Sequence, residues 1–206
     1  MIISYQGLES FKISHGDLVL AINPISKDSK LKSSNFGADI TLVTTNHSDM
    51  NGVAQTSRGE KQPFVISGPG EYEVQDVFIK GFLSESNYGS KKINTVYLVS
   101  FEGMSLCFLG ALSNPELSSE TLEALENIDV LFVPIGGGEV LNPASAYKLA
   151  VSLEPGLIIP MHWDESTLKQ FLKEGGEDKL SPLDKLVLKK KDLEGKKGEM
   201  VVLKQE

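Results

Sequence analysis

Cysteine is almost missing. Cys107 stands alone, so the chain has neither an intramolecular disulfide nor a C-x-x-C pair for metal or redox chemistry. That scarcity fits a reducing cytoplasm. Histidine is limited to three residues, which caps any metal site built on imidazoles. No apolar run approaches the roughly 20 residues that a membrane-spanning helix needs. The opening "MIISYQGLESFKI" also lacks the basic region and unbroken apolar stretch of a leader. Basic residues are in deficit, 20 against 28 acidic ones, for a net charge of −8. Such a field repels phosphate backbones and anionic lipid, and no basic stripe interleaved with aromatics offsets it. Nucleic acid and membrane are therefore excluded as expected partners, which leaves a small molecule or another protein.

What is present is an ordinary globular composition, 40% hydrophobic and 23% charged, on a chain long enough to bury a sizeable core as one domain, 1–206. The first third reads as short strands, "MIISYQG", "SFKIS" and "LVLAIN", with Gly16 in "HGD" supplying the positive φ of a turn. A polar loop at 26–37 precedes "ADITLVTT", which runs apolar as a strand buried on both faces does. "PFVIS", "YEVQDVFIKGF", "TVYLVSFEG" and "SLCFLG" supply further strands, paired by turns at "GPGE", where Pro69 and Gly70 suit type II positions, and at "FEGM". Helices come later. Asn114 before Pro115 and Asn142 before Pro143 each read as a cap followed by proline at the first helical position. In the first of these helices Leu117, Leu122 and Leu125 are placed to share an inner face. "ESTLKQFLKEGG" gives a third helix and "MVVLKQE" a last strand, while the lysine-rich 189–199 reads as a hairpin turn or a solvated loop. The class is α+β, a sandwich of two sheets with helices on the outer faces.

Five ordered stretches carry a resemblance: "SYQGLESFKI", "TLVTTNHSDMNGV", "VISGPGEYEVQDVFIKGF", "LCFLGAL" and "DVLFVPIGGGEVLNPASAYKLAVSLEPGLIIPMHW". Together they resemble the metallo-β-lactamase superfamily over residues 1–163, nearest to its small prokaryotic, sugar-lactonase-like hydrolases. The resemblance implies a four-layered αββα sandwich with a binuclear metal centre at one edge. Its ligands would come from H-x-H-x-D-H after a buried strand, a later histidine, a strand-end aspartate and a histidine in "PMH". In this chain those positions hold Thr45, His47, Asp49, Met50, Ser86, Ala111 and His162. Three of the seven keep a ligand of the expected type: His47, Asp49 and His162.

Zinc needs three or four N, O or S donors converging at about 2.0–2.3 Å, with an open position if it is to activate water. Neither half-site reaches three good donors, because hydroxyls stand at Thr45 and Ser86, a thioether at Met50 and a methyl at Ala111. The expectation is a metallo-β-lactamase-fold protein with a largely lost metal site, acting as a non-catalytic or divergent binding protein with no cofactor. The alternative is a zinc-dependent hydrolase of an ester, lactone or phosphoester, with one ion on His47, Asp49 and His162. Asp49 and His162 are also the candidate catalytic pair, as a carboxylate and an imidazole suited to general base work. Elsewhere, "PIGGGE" (Gly136, Gly137, Gly138) reads as a plain strand-to-helix connection, with an anion cradle as its functional alternative. His15 reads as a solvated turn residue and Cys107 as a buried small apolar one.

Overall fold

The computed structural model describes residues 1–90, 93–177 and 180–206. In chain order the strands and helices are β1 (Ile2–Gly7), β2 (Ser10–His15), β3 (Leu18–Ile22), β4 (Ile40–Leu42), β5 (Phe64–Ile66), β6 (Gly70–Val74), β7 (Val77–Ser84), β8 (Asn94–Phe101), β9 (Met104–Phe108), α1 (Ser119–Ala124), β10 (Val130–Pro134), α2 (Pro143–Ser152), β11 (Leu157–Met161), α3 (Glu165–Glu174), β12 (Leu186–Val187) and β13 (Glu199–Met200). Among the described residues these strands form two mixed sheets, β12-β1-β2-β3-β4-β5 and β13-β11-β10-β9-β8-β7-β6.

Period-two alternation decides which side chains meet. Ile3, Tyr5, Phe11, Ile13, Leu20, Ile22, Ile40 and Leu42 of the first sheet share one buried cluster with Val99, Leu106, Phe108, Val130, Phe132 and Ile159 of the second. That cluster is the layer between the sheets. On the other face of the second sheet, Val96, Cys107, Leu131, Val133 and Ile158 pack against Ala146, Leu149 and Ala150 of α2 and Phe171 of α3. Strands β9, β10 and β11 are mutually parallel and apolar on both faces, as parallel strands covered on both sides are.

The first sheet differs on its outer side, where Ser4, Gln6, Lys12, Ser14 and Thr41 alternate with the core residues. A polar face offers a helix nothing to bury. The outer layer there is built from residues 26–37 and the 3₁₀ turn Val53–Thr56, through Thr41 Oγ1 on Thr56 Oγ1 at 2.8 Å and Lys12 over the Phe36 ring. The α+β sandwich is as read from sequence, with this fourth layer made of loop and 3₁₀ turn rather than the α-helices expected on both faces. No described helix is long and apolar enough to cross a membrane.

Asp39 pins that layer to the sheet. Its Oδ2 accepts from Val19 N at 2.8 Å and its Oδ1 from Lys61 Nζ at 2.5 Å. Burial pushes its pKa up, but the Lys61 and Val19 hydrogen bonds outweigh that and hold the carboxyl below its ordinary value. A lowered folded pKa contributes stability that is fully present above the unfolded value, about 3.9, and is lost as pH falls through the folded value. We expect the stability gap between the parent and Asp39→Asn, measured by urea unfolding, to be open at pH 7 and closed by about pH 2. A gap unchanged across that range would remove Asp39 from this role.

Several sequence readings shift. The first helix starts later than the Asn114 cap predicts, because Ser118 accepts from Thr121 N at 3.1 Å and caps α1. Asn114 instead makes a short turn, its Oδ1 accepting from Glu116 N. Leu122 is exposed rather than on an inner face, whereas Leu125 is buried. "GPGE" does not pair strands but carries the chain from β5 in the first sheet to β6 in the second, and Gly70 sits at φ +145 rather than in a type II turn. "YEVQDVFIKGF" is a hairpin, turned by Gln75 and Asp76, both at positive φ. The lysine-rich stretch joins strands of different sheets through a 3₁₀ turn, so it is no hairpin, and Lys190 pairs with Asp129 at 2.6 Å. His15, as expected, is exposed, and it pairs with Glu102.

Residues 183–206 lace the two sheets together. Leu186 and Val187 pair with Ile3 and Ile2 of β1, Glu199 and Met200 with Leu157 and Ile158 of β11, and Gln205 returns to bridge Tyr5.

Candidate functional site

At one edge of the sandwich the loops after β4, β7, β9, β10 and β11 meet the β1–β2 turn. Crevices beyond the carboxyl ends of parallel strands are where such sheets bind ligands. The loop "TTNHSDMNG" after β4 is a polar coil closed on itself: Met50 N and Asn51 N both donate to His47 O, at 2.8 and 2.9 Å. It is laced to the 24–26 segment by Gly52 N to Pro24 O and Ser26 N to Ser48 O.

Beneath that loop lies a buried polar lattice. Asn23 accepts from Thr44 N at 2.8 Å and donates to Thr44 Oγ1 at 2.9 Å and to Glu9 Oε2 at 3.2 Å. Asn94 accepts from Thr45 Oγ1 at 3.1 Å and Ala111 N at 3.0 Å, and donates to Leu109 O and Ser84 Oγ at 2.8 Å. Gly110, at φ +60, brings its backbone against Thr44 and Asn94. Among the described residues every buried side-chain N and O atom has a partner, as a buried lattice requires.

The candidate residues do come together, around a residue that the sequence does not single out. The Tyr88 ring lies edge-on to His47, with centroids 5.0 Å apart, and to His162, at 5.2 Å. Its hydroxyl donates to Asp49 Oδ2 at 2.6 Å, and Ser29 donates to Asp49 Oδ1 at 2.5 Å. Burial raises the Tyr88 phenol pKa, helped by its hydrogen bond to Asp49 and by the negative charges of Asp49, Glu9 and Glu139. Tyr88 is therefore a neutral donor to an ionised acceptor. Burial pushes Asp49 up, but the hydrogen bonds from Ser29 and Tyr88 and the nearby His47 bring its pKa below the ordinary value. Met50, Ala111 and Val140 form a small buried cluster against Leu8 and Tyr88.

The carboxylate–imidazole pair that Asp49 and His162 were expected to offer is made with a different carboxylate. His162 Nδ1 lies 2.8 Å from Glu9 Oε1, while Asp49 lies 3.5 Å from His47 Nδ1. Glu9 is fully buried. Leu8, Asn23 and His162 all sit at positive φ, a cost that non-glycine residues bear where the surroundings fix them, and His162 N donates to Leu8 O at 2.5 Å. Gly136 explains part of the glycine loop, since a Cβ there would lie 2.8 Å from His162 Cδ2. Gly137 N is spent on Leu141 O at 2.9 Å, so the loop is a connection that lets the imidazole approach.

As placed, these side chains do not fit a metal ion. Among the described residues no group of three or more His, Cys, Asp or Glu side chains is arranged to hold one. Two of the donors are committed elsewhere, Thr45 to Asn94 and Asp49 to Ser29 and Tyr88, and His162 gives one ring nitrogen to Glu9. Ser86 is buried with its Oγ accepting from Tyr88 N. Beside His162 opens a cleft of about 370 Å³, lined by Tyr5, Leu8, Ile25 and Trp163 together with Lys32 and Gln205.

The Beta-lactamase superfamily domain profile matches residues 2–162. A UPF0173 metal-dependent hydrolase of Natranaerobius thermophilus is 23% identical over 191 residues, spanning 80% of this chain and 84% of its own. The crystal structure of a candidate Zn-dependent hydrolase of the metallo-β-lactamase superfamily from Thermotoga maritima superposes with a TM-score of 0.77 at 26% identity, covering 98% of this chain and 97% of that one. The metallo hydrolase Igni18 of Ignicoccus hospitalis shares the fold, with a TM-score of 0.63 at 20% identity over 91% and 99% of the two chains.

Proposed function

Because the chain belongs to the beta-lactamase superfamily, we propose that it is a member whose binuclear metal centre has been lost, and that it serves as a metal-free binding protein for a small molecule in the cleft beside His162. One observation carries the reading: Tyr88 stands between His47 and His162 with its hydroxyl on Asp49. An ion bound to those three residues would have to displace a hydrogen-bonded phenol. The cleft itself suits a ligand with an apolar body for Trp163 and Leu8 and a hydrogen-bonding group for the imidazole of His162, whose other nitrogen is held by Glu9. The buried lone Cys107 is compatible with a reducing cytoplasm as its place of work.

The rival reading is a zinc-dependent hydrolase of an ester, lactone or phosphoester, with a single ion on His47, Asp49 and His162. It draws on the Thermotoga maritima protein, described as Zn-dependent at 26% identity. Elemental analysis of protein purified without chelator or histidine tag separates the two. We expect trace metal and no turnover of ester, lactone or phosphodiester substrates above background, with or without added zinc or manganese. About one zinc per chain, with turnover abolished by a chelator and by His47→Ala, would establish the rival.

A further inference from the structure

The lysines that lead into β13 take no part in the site at the sheet edge. Strands β10, β11 and β13 run parallel and neighbour one another in the order β13-β11-β10. The carboxyl ends of β10 and β11 lead to the candidate site, so the segments that enter the three strands line up at the opposite end of the sheet. Neighbouring strands lie about 4.8 Å apart, which makes a row of whatever charges those segments carry. Lys196 and Lys197 precede β13, Glu154 precedes β11 and Glu126 precedes β10. The row therefore changes sign along its length. Two shallow depressions follow it, one of about 560 Å³ with Val151, Lys196 and Lys197, the other of about 520 Å³ with Leu122 and Glu126, and Glu154 is the wall they share. Leu122 and Val151 are 45% and 50% exposed. Lys197, Glu126 and Glu154 are exposed too, and none of the three enters an ion pair among the described residues, whereas Lys196 pairs with Glu199.

A surface with a basic half beside an acidic half is complementary to itself after a half-turn. A two-fold axis at the shared wall lays the basic half of each copy on the acidic half of the other, and the contact is made twice. A partner of a single sign would suit only one of the halves. The net charge of −8 sets two copies against each other overall, so an encounter is favoured where lysines meet carboxylates. We propose that this end of the second sheet is a docking surface for a second copy of the chain, in a two-fold dimer that sets Lys197 of each copy against Glu126 of the other and buries Leu122 and Val151 between them. The clefts beside His162 then lie at the two far ends of the dimer, open to solvent.

Sedimentation equilibrium over a range of concentrations, at low and at high salt, tests this on the parent, Lys197→Glu, Glu126→Lys and an equal mixture of the two variants. The parent is expected to be in monomer–dimer equilibrium, with dissociation favoured as salt screens the pairs. Each variant alone should dimerise at least about tenfold more weakly, because the two-fold counts every substitution twice. In the mixture one chain carries acid on both halves and the other carries base on both, so mixed dimers should recover the parent's affinity. Both positions are exposed, so unchanged melting temperatures are expected to show that the variants fold. A parent that stays monomeric at low salt overturns the proposal and leaves the face to a partner of another kind. A parent dimer that neither variant weakens places the interface elsewhere and overturns it as well. Variants that weaken the dimer but do not rescue each other overturn the two-fold arrangement.

Discussion

Replacing Glu9 with alanine is expected to destabilise the protein by about 3–5 kcal/mol, the cost of breaking a buried hydrogen-bonded pair from one side. Glu9 is fully buried, and its two oxygens are shared between His162 Nδ1 at 2.8 Å and Asn23 Nδ2 at 3.2 Å. Alanine leaves the imidazole Nδ1 and one of the two N–H groups of the Asn23 amide without an acceptor, the other staying on Thr44 Oγ1, and each unmatched group costs about 1–3 kcal/mol. The backbone adds to the loss. Leu8 at φ +52 and His162 at φ +54 are held in the left-handed region by the His162 N to Leu8 O bond and by the Glu9 contact beside it. Once the carboxylate is gone, that backbone bond alone is left to hold them. Glu9→Gln keeps the length and one acceptor oxygen and should recover a large part of the difference. Urea unfolding with a constant slope measures both variants. Equal midpoints for parent and Glu9→Ala would mean that the pair is incidental to stability.

Gly110→Ala should be comparably damaging, by a different route. At φ +60 the backbone itself disfavours a side chain by about 1–2 kcal/mol. The added Cβ would lie 2.6 Å from Thr44 Cβ and Oγ1 and would also strike Asn94 Oδ1. Those atoms belong to the buried lattice that joins the loop after β4 to the loop after β9, so they have little room to yield, and overpacking of that kind costs about 1–3 kcal/mol more. Gly16→Ala is the control, because Gly16 has φ +57 and nothing within 4 Å of the position its Cβ would take. We expect the Gly110 variant to lose several times more in melting temperature than the Gly16 variant. Similar losses in the two would show that conformation alone, not the lattice, governs Gly110.

How far residue patterns announce this molecule depends on the range of the interaction. The second helix is legible at Asn142-Pro143 because the cap and the proline act within one turn: Asn142 Oδ1 accepts from Ser145 N at 2.9 Å. The same signature at Asn114-Pro115 misleads because Ser118, four residues on, competes with its own cap to Thr121. Gln75 and Asp76 hide a hairpin turn because two-residue turns with both φ positive are usually marked by glycine or asparagine, and neither is present. The alternation of core and outward residues exposes the two sheets, and the ordered landmarks expose the edge where His47, Asp49 and His162 meet. Glu9 and Tyr88 escape notice for the opposite reason. Glu9 acts on a residue 153 positions away and Tyr88 on one 39 positions away, and no local period records such distances. The hint for Glu9 is a lone carboxylate inside an apolar hairpin, "GLESF". For Tyr88 it is an aromatic residue two positions after Ser86, where the family pattern expects a ligand.

The lacing of the two sheets by residues 183–206 sets an order in time. β1 cannot complete its pairing until Leu186 and Val187 reach it, and Tyr5 does not meet its bridge partner until Gln205 arrives. Contacts between such distant parts of a chain carry a loop-closure cost before they return any stabilisation, and they slow folding. On the ribosome, the hairpin that carries Glu9 must therefore wait with one edge open while the second sheet and its helices are still being made. The lacing of the two sheets by this segment follows the making of both rather than preceding it.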